Sequence, residues 1–240
     1  MLPPLYDRLR QRTVGFLARP QEWWELRTLD DRPERRRGAG PLNRALLELD
    51  GRPVGWAIYR IKVEGSGADW HKPLVVLDAF GVDARATREI WRFLLEIDWT
   101  DEVETGALPL DHPLLLLTAR VNELRGRLWD GLWVRLVDVG AALVARSYAG
   151  DGRVTLELAA DPLFPENTGV WTIEGGAVRR SRRRPDMRLD VQALGSAYLG
   201  GFSFRQLAAA ERVDEVARGG LARADALFAT PIAPWCPEIF

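Results

Sequence analysis

The fold is decided by Asp130-Gly131-Leu132-Trp133-Val134-Arg135-Leu136-Val137-Asp138-Val139, the stretch that opens the second half of this 240-residue chain. Residues 133–137 predict a strand, and residues 141–148 predict the helix that follows it. Beyond a turn at Asp151-Gly152, apolar and polar residues alternate over 153–158, which is typical of a half-buried strand. The pattern of the chain changes near 125–127, so we expect a first domain at 1–126 and a second at 127–240.

The remainder of the second half predicts strands followed by short helices. A hairpin is expected around Gly175-Gly176, and a short strand at 187–190. Asp190 has the position of an N-cap for a helix that ends at Gly200-Gly201. Ser203 and Gln206 have capping-box spacing at the start of the next helix, and 221–228 predicts the last one.

The first half predicts a similar mixture of elements. Residues 5–27 are mostly helical, and Pro20 begins a second helical piece. Asp50-Gly51 lies between two apolar runs and indicates a hairpin. A strand at 74–80 leads to a helix that Asp83 caps and that extends to Ile97, and a short strand is expected at 105–108. The fold class is therefore α+β in both halves.

The overall composition excludes several classes of protein. Lys and Arg number 33 against 34 Asp and Glu, a net charge of −1, so no global field favours a nucleic acid or an anionic membrane. One cysteine excludes an internal disulfide framework. The N-terminus has no signal-peptide pattern, and no apolar run is long enough to cross a membrane. We expect a cytoplasmic protein whose ten tryptophans mainly fill cores and interfaces.

Four spaced motifs carry a resemblance to a known family. They are 130–139, Asn167-Thr168-Gly169-Val170-Trp171, Tyr198-Leu199-Gly200-Gly201, and the terminal Pro234-Trp235-Cys236-Pro237-Glu238-Ile239-Phe240. In this order they resemble the C-terminal portion of the enhanced intracellular survival (Eis) family of GNAT N-acetyltransferases. The resemblance implies a degenerate GNAT-like mixed sheet with helices, followed by a sterol carrier protein-like α+β domain.

The resemblance also bears on the acyl donor. GNAT enzymes hold the pyrophosphate of acetyl-CoA on backbone N–H groups, where a glycine-containing loop opens a helix. The equivalent segment here, 80–88, has no glycine after Gly81, and Asp83 places a negative charge there. We therefore expect no cofactor in this chain. Acetyl-CoA is implied for the complete enzyme, in which an active GNAT domain precedes the degenerate one.

The family resemblance makes the chain terminus the candidate site. It implies that the terminal carboxylate of Phe240 is the general base in the complete enzyme, and that it reaches into the active site of the first domain. Ile239 stands where an acidic residue would help to hold polyamine substrates, and Glu238 is a possible substitute, so both are predicted to bind substrate. The expected substrates are primary amines of the aminoglycoside or lysine type, and the expected assembly is the family hexamer.

Other residues point to weaker alternatives. His71 and His112, the only histidines, have no paired ligands nearby, so no metal site is predicted. Cys236 is expected to be a small packed side chain, and the arginines at 179–184 a solvated hairpin face. Two alternative functions stay open at this point: a stand-alone sterol carrier-like protein that binds an apolar ligand, and a structural assembly module.

Overall fold

The computed structural model describes residues 2–66 and 69–238. Contacts divide the chain into two compact units: unit 1 comprises Met1–Gly131 with Trp235–Phe240, and unit 2 comprises Leu132–Pro234. Each unit has one mixed sheet with helices, which confirms the α+β class. Whether 1–126 and 127–240 fold independently stays a prediction. No described helix has the length and apolar character needed to cross a membrane.

Unit 1 is built on a four-stranded sheet with strands in sequence order. A hairpin joins β1 (Asn43–Leu49) to β2 (Arg52–Ile61), as predicted, through Asp50 and Gly51. Both turn residues have positive φ, 51° and 71°, the requirement of the turn type that suits a two-residue hairpin. β3 (Pro73–Gly81) pairs antiparallel with β2, and β4 (Glu102–Thr105) pairs in parallel with β3.

The crossover between the two parallel strands is α3 (Ala84–Leu95). Its predicted N-cap is confirmed, because the Asp83 carboxylate accepts a hydrogen bond of 2.8 Å from the Ala86 N–H. Ala86, Ile90 and Leu94 recur at helical spacing and are buried against the sheet. The helix ends at Leu95, two residues before the predicted Ile97.

The N-terminal part of unit 1 supplies an aromatic core. α1 (Leu2–Arg10) precedes α2 (Gln21–Trp23), which Pro20 begins as predicted and which continues into one π-helical turn (Trp24–Thr28). Aromatic side chains from these helices, the sheet and the terminal segment pack together: Tyr6, Phe16, Trp24, Trp56, Phe80 and Trp235. A short α4 (Leu114–Leu117) and two 3-10 turns (Pro33–Arg35 and Val121–Glu123) also belong to this unit.

Unit 2 has a five-stranded sheet of order β7-β6-β5-β8-β9. Its strands are β5 (Arg153–Leu158), β6 (Gly169–Glu174), β7 (Ala177–Arg180), β8 (Met187–Leu189) and β9 (Val213–Glu215). Its helices are α5 (Val139–Ala145), α6 (Val191–Tyr198), α7 (Phe204–Ala209) and α8 (Gly220–Phe228). The predicted cap at Asp190 and capping box at Ser203 are both confirmed. The core cluster consists of apolar side chains from the sheet and all four helices.

Two predicted strands are wrong. Residues 133–137 belong to no strand, because hydrogen bonds to side chains hold this segment: Asn167 Nδ2 donates to the Val137 carbonyl, and Arg135 pairs with Asp161. The strand expected at 105–108 ends at Thr105, because Ala107 has a positive φ of 51° that extended pairing cannot accommodate. The first helix of unit 2, predicted at 141–148, runs from Val139 to Ala145.

Candidate functional site

Residues 235–238, called the terminal segment below, lie beside a gap between β3 and β4. The two strands pair only from Pro73 to Val76 and from Glu102 to Thr105. Just beyond, Leu77 is an extra residue in the β2–β3 ladder, since Ile58 pairs with Asp78 and the adjacent Tyr59 with Val76. The gap that follows is lined by residues 77–80, 105–108, Trp235 and Pro237, and about 20 Å³ of it is empty. That is room for about one water molecule.

Trp235 bridges this gap from Phe80 to Ala107. Its ring stacks on Phe80 at 5.3 Å between centroids and meets Phe16 edge-on at 5.0 Å. Its backbone N–H donates to the Val14 carbonyl at 2.8 Å, and its indole N–H donates to the Ala107 carbonyl. Gly15 has a φ of +96°, and a Cβ there would lie 2.9 Å from the Trp235 carbonyl oxygen. The chain can approach this closely only because residue 15 is glycine.

A buried guanidinium holds the next part of the segment. Arg19 Nε donates to Glu238 Oε1 at 2.5 Å, while its Nη1 and Nη2 donate to the two oxygens of Asp78 at 2.6 and 3.1 Å. The Arg19 side chain is 3% exposed and lies over the rings of Tyr6 and Trp24 at 4.4 and 5.0 Å. One cation therefore joins β3 to Glu238, which is 219 residues from Arg19 in sequence.

The electrostatics of this cluster follow from burial and pairing. Burial alone would lower the pKa of Arg19, but hydrogen bonds and charge from Asp78 and Glu238 outweigh it and raise the pKa. Burial raises the pKa of the neighbouring Tyr6 to about 12, although Arg19 opposes the shift. Tyr6 is thus a neutral phenol that donates to the Leu17 carbonyl at 2.9 Å. Arg19 is a fixed cation and takes no part in proton transfer at neutral pH.

Of the three predicted site residues, only Glu238 lies within the part of the chain that the structure describes. Phe240 and Ile239 lie outside the described residues. Glu238 is buried, with its carboxylate on Arg19. Cys236 is also buried, its Sγ is 3.8 Å from the Glu238 carbonyl oxygen, and burial raises the pKa of its thiol. The roles assigned to Phe240, Ile239 and Glu238 stay predictions.

The N-terminus of α3 is occupied by its own cap. The Asp83 carboxylate takes the Ala86 N–H, and a Cβ on Gly81 would lie 2.2 Å from the Thr87 backbone nitrogen. Gly81 therefore lets the strand fold tightly onto the helix. A carboxylate placed at this end of the helix repels phosphate instead of attracting it.

The two histidines lie in different environments. His71 is partly exposed and its Nδ1 is 2.8 Å from Asp101. His112 is buried, its Nδ1 accepts from the Leu114 N–H at 3.1 Å, and its ring meets Trp91 edge-on at 5.4 Å. Among residues 2–66 and 69–238, no group of three or more His, Cys, Asp and Glu side chains could hold a metal ion.

A shallow hollow lies on the surface of unit 2. It has a volume of about 150 Å³ and is lined by Gly200, Gly201, Phe202, Ser203, Phe204, Gln206, Asp225, Phe228 and Ala229. Sites for drug-sized ligands usually enclose about 300–1,000 Å³. The interior of this unit is filled by its own side chains.

Arg19 and Asp78 did not emerge from the sequence as site residues. The signal for Asp78 was a charged residue inside an otherwise apolar strand, Leu74-Val75-Val76-Leu77-Asp78-Ala79-Phe80. A charge in such a position requires a buried partner. Nothing in the sequence pattern indicated which of the many arginines would be that partner.

Comparison with known families agrees with this architecture. The acetyltransferase (GNAT) domain model matches residues 15–136, half of the chain, and the sterol carrier protein domain model matches residues 139–237. The chain therefore belongs to the GNAT acetyltransferase family, with a sterol carrier protein-like domain following the GNAT domain. Unit 1 is matched as a GNAT domain from β1 through α3 and β4.

The relatives include proteins of the Eis type. An uncharacterized N-acetyltransferase of Streptomyces avermitilis is 39% identical over 98% of this chain and 58% of its own length. The N-acetyltransferase Eis of Mycobacterium tuberculosis is 32% identical over 95% of this chain and 54% of its own. The crystal structure of Eis1 from Mycobacterium abscessus superposes with a TM-score of 0.81 at 33% identity, covering all of this chain and 59% of that one. The chain thus spans between 54 and 59% of the length of these relatives.

Proposed function

We propose that this chain acts as the C-terminal two-domain portion of an Eis-like, acetyl-CoA-dependent N-acetyltransferase of primary amines. In that role it shapes the substrate cleft, supplies the terminal carboxylate and provides oligomer contacts, and it is not catalytic alone. The observation that carries the proposal is the similarity to Eis-type relatives across nearly the whole chain but only 54–59% of theirs.

The GNAT unit of this chain is degenerate and binds no acetyl-CoA. Two features support this: the Asp83 carboxylate caps the helix that would face the pyrophosphate, and Trp235 bridges the gap between β3 and β4. Calorimetric titration of the chain with acetyl-CoA tests it, and no heat of binding is expected. Saturable binding in the micromolar range would refute the assignment.

The terminal carboxylate of Phe240 is the general base. A free α-carboxyl group has a pKa of about 3.3–3.7, so it is ionised at neutral pH and attracts a cationic amine. Desolvation or a relaying water is required for it to accept a proton efficiently. Glu238 and Ile239, the neighbours of this carboxylate, are predicted to contact the amine.

Extension of the chain tests the role of the carboxylate. In a protein that also carries an acetyl-CoA-binding GNAT domain, adding one glycine after Phe240 converts the carboxylate to a neutral amide. We expect kcat to fall by about 10²–10⁴, the usual effect of losing a general base. Phe240→Ala is the matched control, because it keeps the carboxylate and removes only the side chain. Equal kcat in the folded, extended enzyme would remove Phe240 from the mechanism.

A second candidate function is the binding of an apolar ligand by unit 2. The match to the sterol carrier protein domain and the three phenylalanines around the hollow at Gly200–Ala229 favour it. The filled core and the small volume weigh against it. A thermal-shift panel with acetyl-CoA, fatty acids and sterols decides, because only a ligand that binds the folded state raises the melting temperature.

Self-association is the third part of the proposal. Leu116, Leu128 and Trp129 are more than four-fifths exposed, which is unusual for large apolar side chains. We expect the chain to form oligomers through such residues. Light scattering that shows a monomer at high concentration would contradict this.

A further inference from the structure

Residues 235–238 are fixed at two points, at Trp235 and through the buried pairing of Glu238 with Arg19. The proposed reaction gives no role to Arg19 or to Asp78. We propose that Arg19, held by Asp78, is a positioning residue for the chain terminus and acts by fixing Glu238. The inference rests on the proposed function in one respect, that the terminal carboxylate takes part in the reaction.

The first argument concerns rigidity. Asp78 lies in β3, paired with Ile58 of β2, so its carboxylate is carried by the sheet and not by a loop. The Asp78 carboxylate accepts hydrogen bonds from both terminal nitrogens of Arg19. The Nε–H of Arg19 donates to Glu238. The planar guanidinium fork can serve both carboxylates at once, which a lysine ammonium could not do with the same fixed directions.

The second argument concerns charge. Arg19 and Asp78 already neutralise each other, so the buried cluster does not need a second carboxylate. Glu238 adds a further negative charge in a region where its side chain is 9% exposed. A buried charge that is not needed for neutrality is poorly explained by stability alone, because removing it from water is unfavourable. The burial of Glu238 is better explained by its position close to the chain terminus, which it can hold in place.

The third argument concerns reach. Glu238 is two residues from the terminus, and two residues span at most about 7 Å even when fully extended. Trp235, three residues earlier, is fixed by the Val14 carbonyl and by stacking on Phe80. With Trp235 and Glu238 held, only the two residues after Glu238 still have to be ordered when the terminal carboxylate aligns with a substrate, so less conformational entropy is lost.

This role differs from substrate binding by Glu238 in a measurable way. An anchor requires only an acceptor for the Arg19 Nε–H, which the amide oxygen of glutamine also provides. A group that attracts a cationic amine requires the charge. Glu238→Gln and Glu238→Ala therefore separate the two roles, and Glu96→Ala, on the exposed C-terminal end of α3, is the matched control.

The anchor is tested first on the 240-residue chain, without any reaction. Carboxypeptidase A must draw the last residues into its own cleft, so the rate of release of Phe240 and Ile239, followed by mass spectrometry, reports how firmly Glu238 is held. We expect release to be about tenfold faster in Glu238→Ala, and close to the unmodified rate in Glu238→Gln and Glu96→Ala. Unchanged release in Glu238→Ala would overturn the proposal, whatever the outcome of extending the terminus.

The positioning role is then tested in the protein that carries the acetyl-CoA-binding domain. Glu238→Ala is expected to lower kcat by about 10- to 100-fold with little change in KM for the amine, and Glu238→Gln to restore most of the rate. A raised KM in both variants, with kcat unchanged, would assign Glu238 to the substrate instead. Faster release of Phe240 from Glu238→Ala with an unchanged kcat would also overturn the positioning role. If adding a glycine after Phe240 also left kcat unchanged, the proposed role of the terminal carboxylate would be the part that fails.

Discussion

The two units bury charge in different ways. In unit 1, Arg19 joins partners that are 59 and 219 residues away in sequence. In unit 2, the buried Asp161 accepts hydrogen bonds from Leu163, Phe164, Asn167 and Arg135, all within 26 residues. The buried carboxylate of unit 2 is therefore paired by local contacts, whereas the Arg19 cluster of unit 1 is complete only with Glu238, near the end of the chain. Closing a longer loop costs more conformational entropy, although this cost grows slowly with the length of the loop.

Removal of each arginine gives the largest expected contrast. Arg19→Met leaves two buried carboxylates without their cation and should destabilise unit 1 by about 3–5 kcal/mol. Arg135→Met leaves Asp161 with three other donors and should cost unit 2 about 1 kcal/mol. Hydrogen exchange read by mass spectrometry on peptides from β3 and β5 measures each unit separately. Equal effects in the two variants would show that the long-range cluster contributes no more than the local one.

Two partly buried tryptophans allow the same comparison of local with long-range contacts, with a smaller expected loss of stability. Trp171 bonds within its own hairpin region, where its indole N–H donates to the Asn167 carbonyl at 3.0 Å. Trp235 bonds to Val14 and Ala107. Each Trp→Ala substitution should cost about 2–3 kcal/mol, less than for a fully buried tryptophan. Trp235→Ala should raise exchange in α1 and β3, not in the preceding α8. Increased exchange confined to α8 would mean that the terminal segment belongs energetically with unit 2.

The same difference in range explains what the sequence could predict. The hairpin at Asp50-Gly51 and the caps at Asp83, Asp190 and Ser203 depend on neighbours within four residues, and all were predicted correctly. Residues 133–137 are mostly apolar and predict a strand, yet the Asn167 amide, 30 residues away, donates to the Val137 carbonyl and no strand forms there.

The candidate site was only partly accessible to such reasoning. The motif at the terminus directed attention to Glu238, Ile239 and Phe240 through family resemblance. The partner of Glu238 is Arg19, one of more than thirty basic residues in the chain, and no local pattern distinguishes it. Tertiary pairing of this kind is decided by the fold, after the local elements have formed.

The smallest expected effect is a dependence of the stability of unit 1 on pH near neutrality. Histidines give rise to it, and both histidines of the chain lie in unit 1. The hydrogen bond to Asp101 raises the pKa of His71, whereas burial lowers the pKa of His112. The ordinary histidine pKa is about 6.5. The stabilisation that His71 contributes is therefore complete below that pH and is lost as the pH rises through its raised pKa. The contribution of His112 is complete above it and is lost as the pH falls toward its lowered pKa.

The opposite signs can be separated by two substitutions. In His71→Gln only His112 remains, so the denaturation midpoint of unit 1 should rise with pH between about 5 and 8. In His112→Gln it should fall over the same range, because only the pair of His71 with Asp101 remains. NMR titration of the two imidazole rings gives both pKa values directly, His71 above and His112 below the ordinary value. Titration of both rings at about 6.5 would contradict the prediction. The pair of His71 with Asp101 and the buried ring of His112 would then add no pH dependence to the stability of unit 1, which would resemble unit 2 in this range.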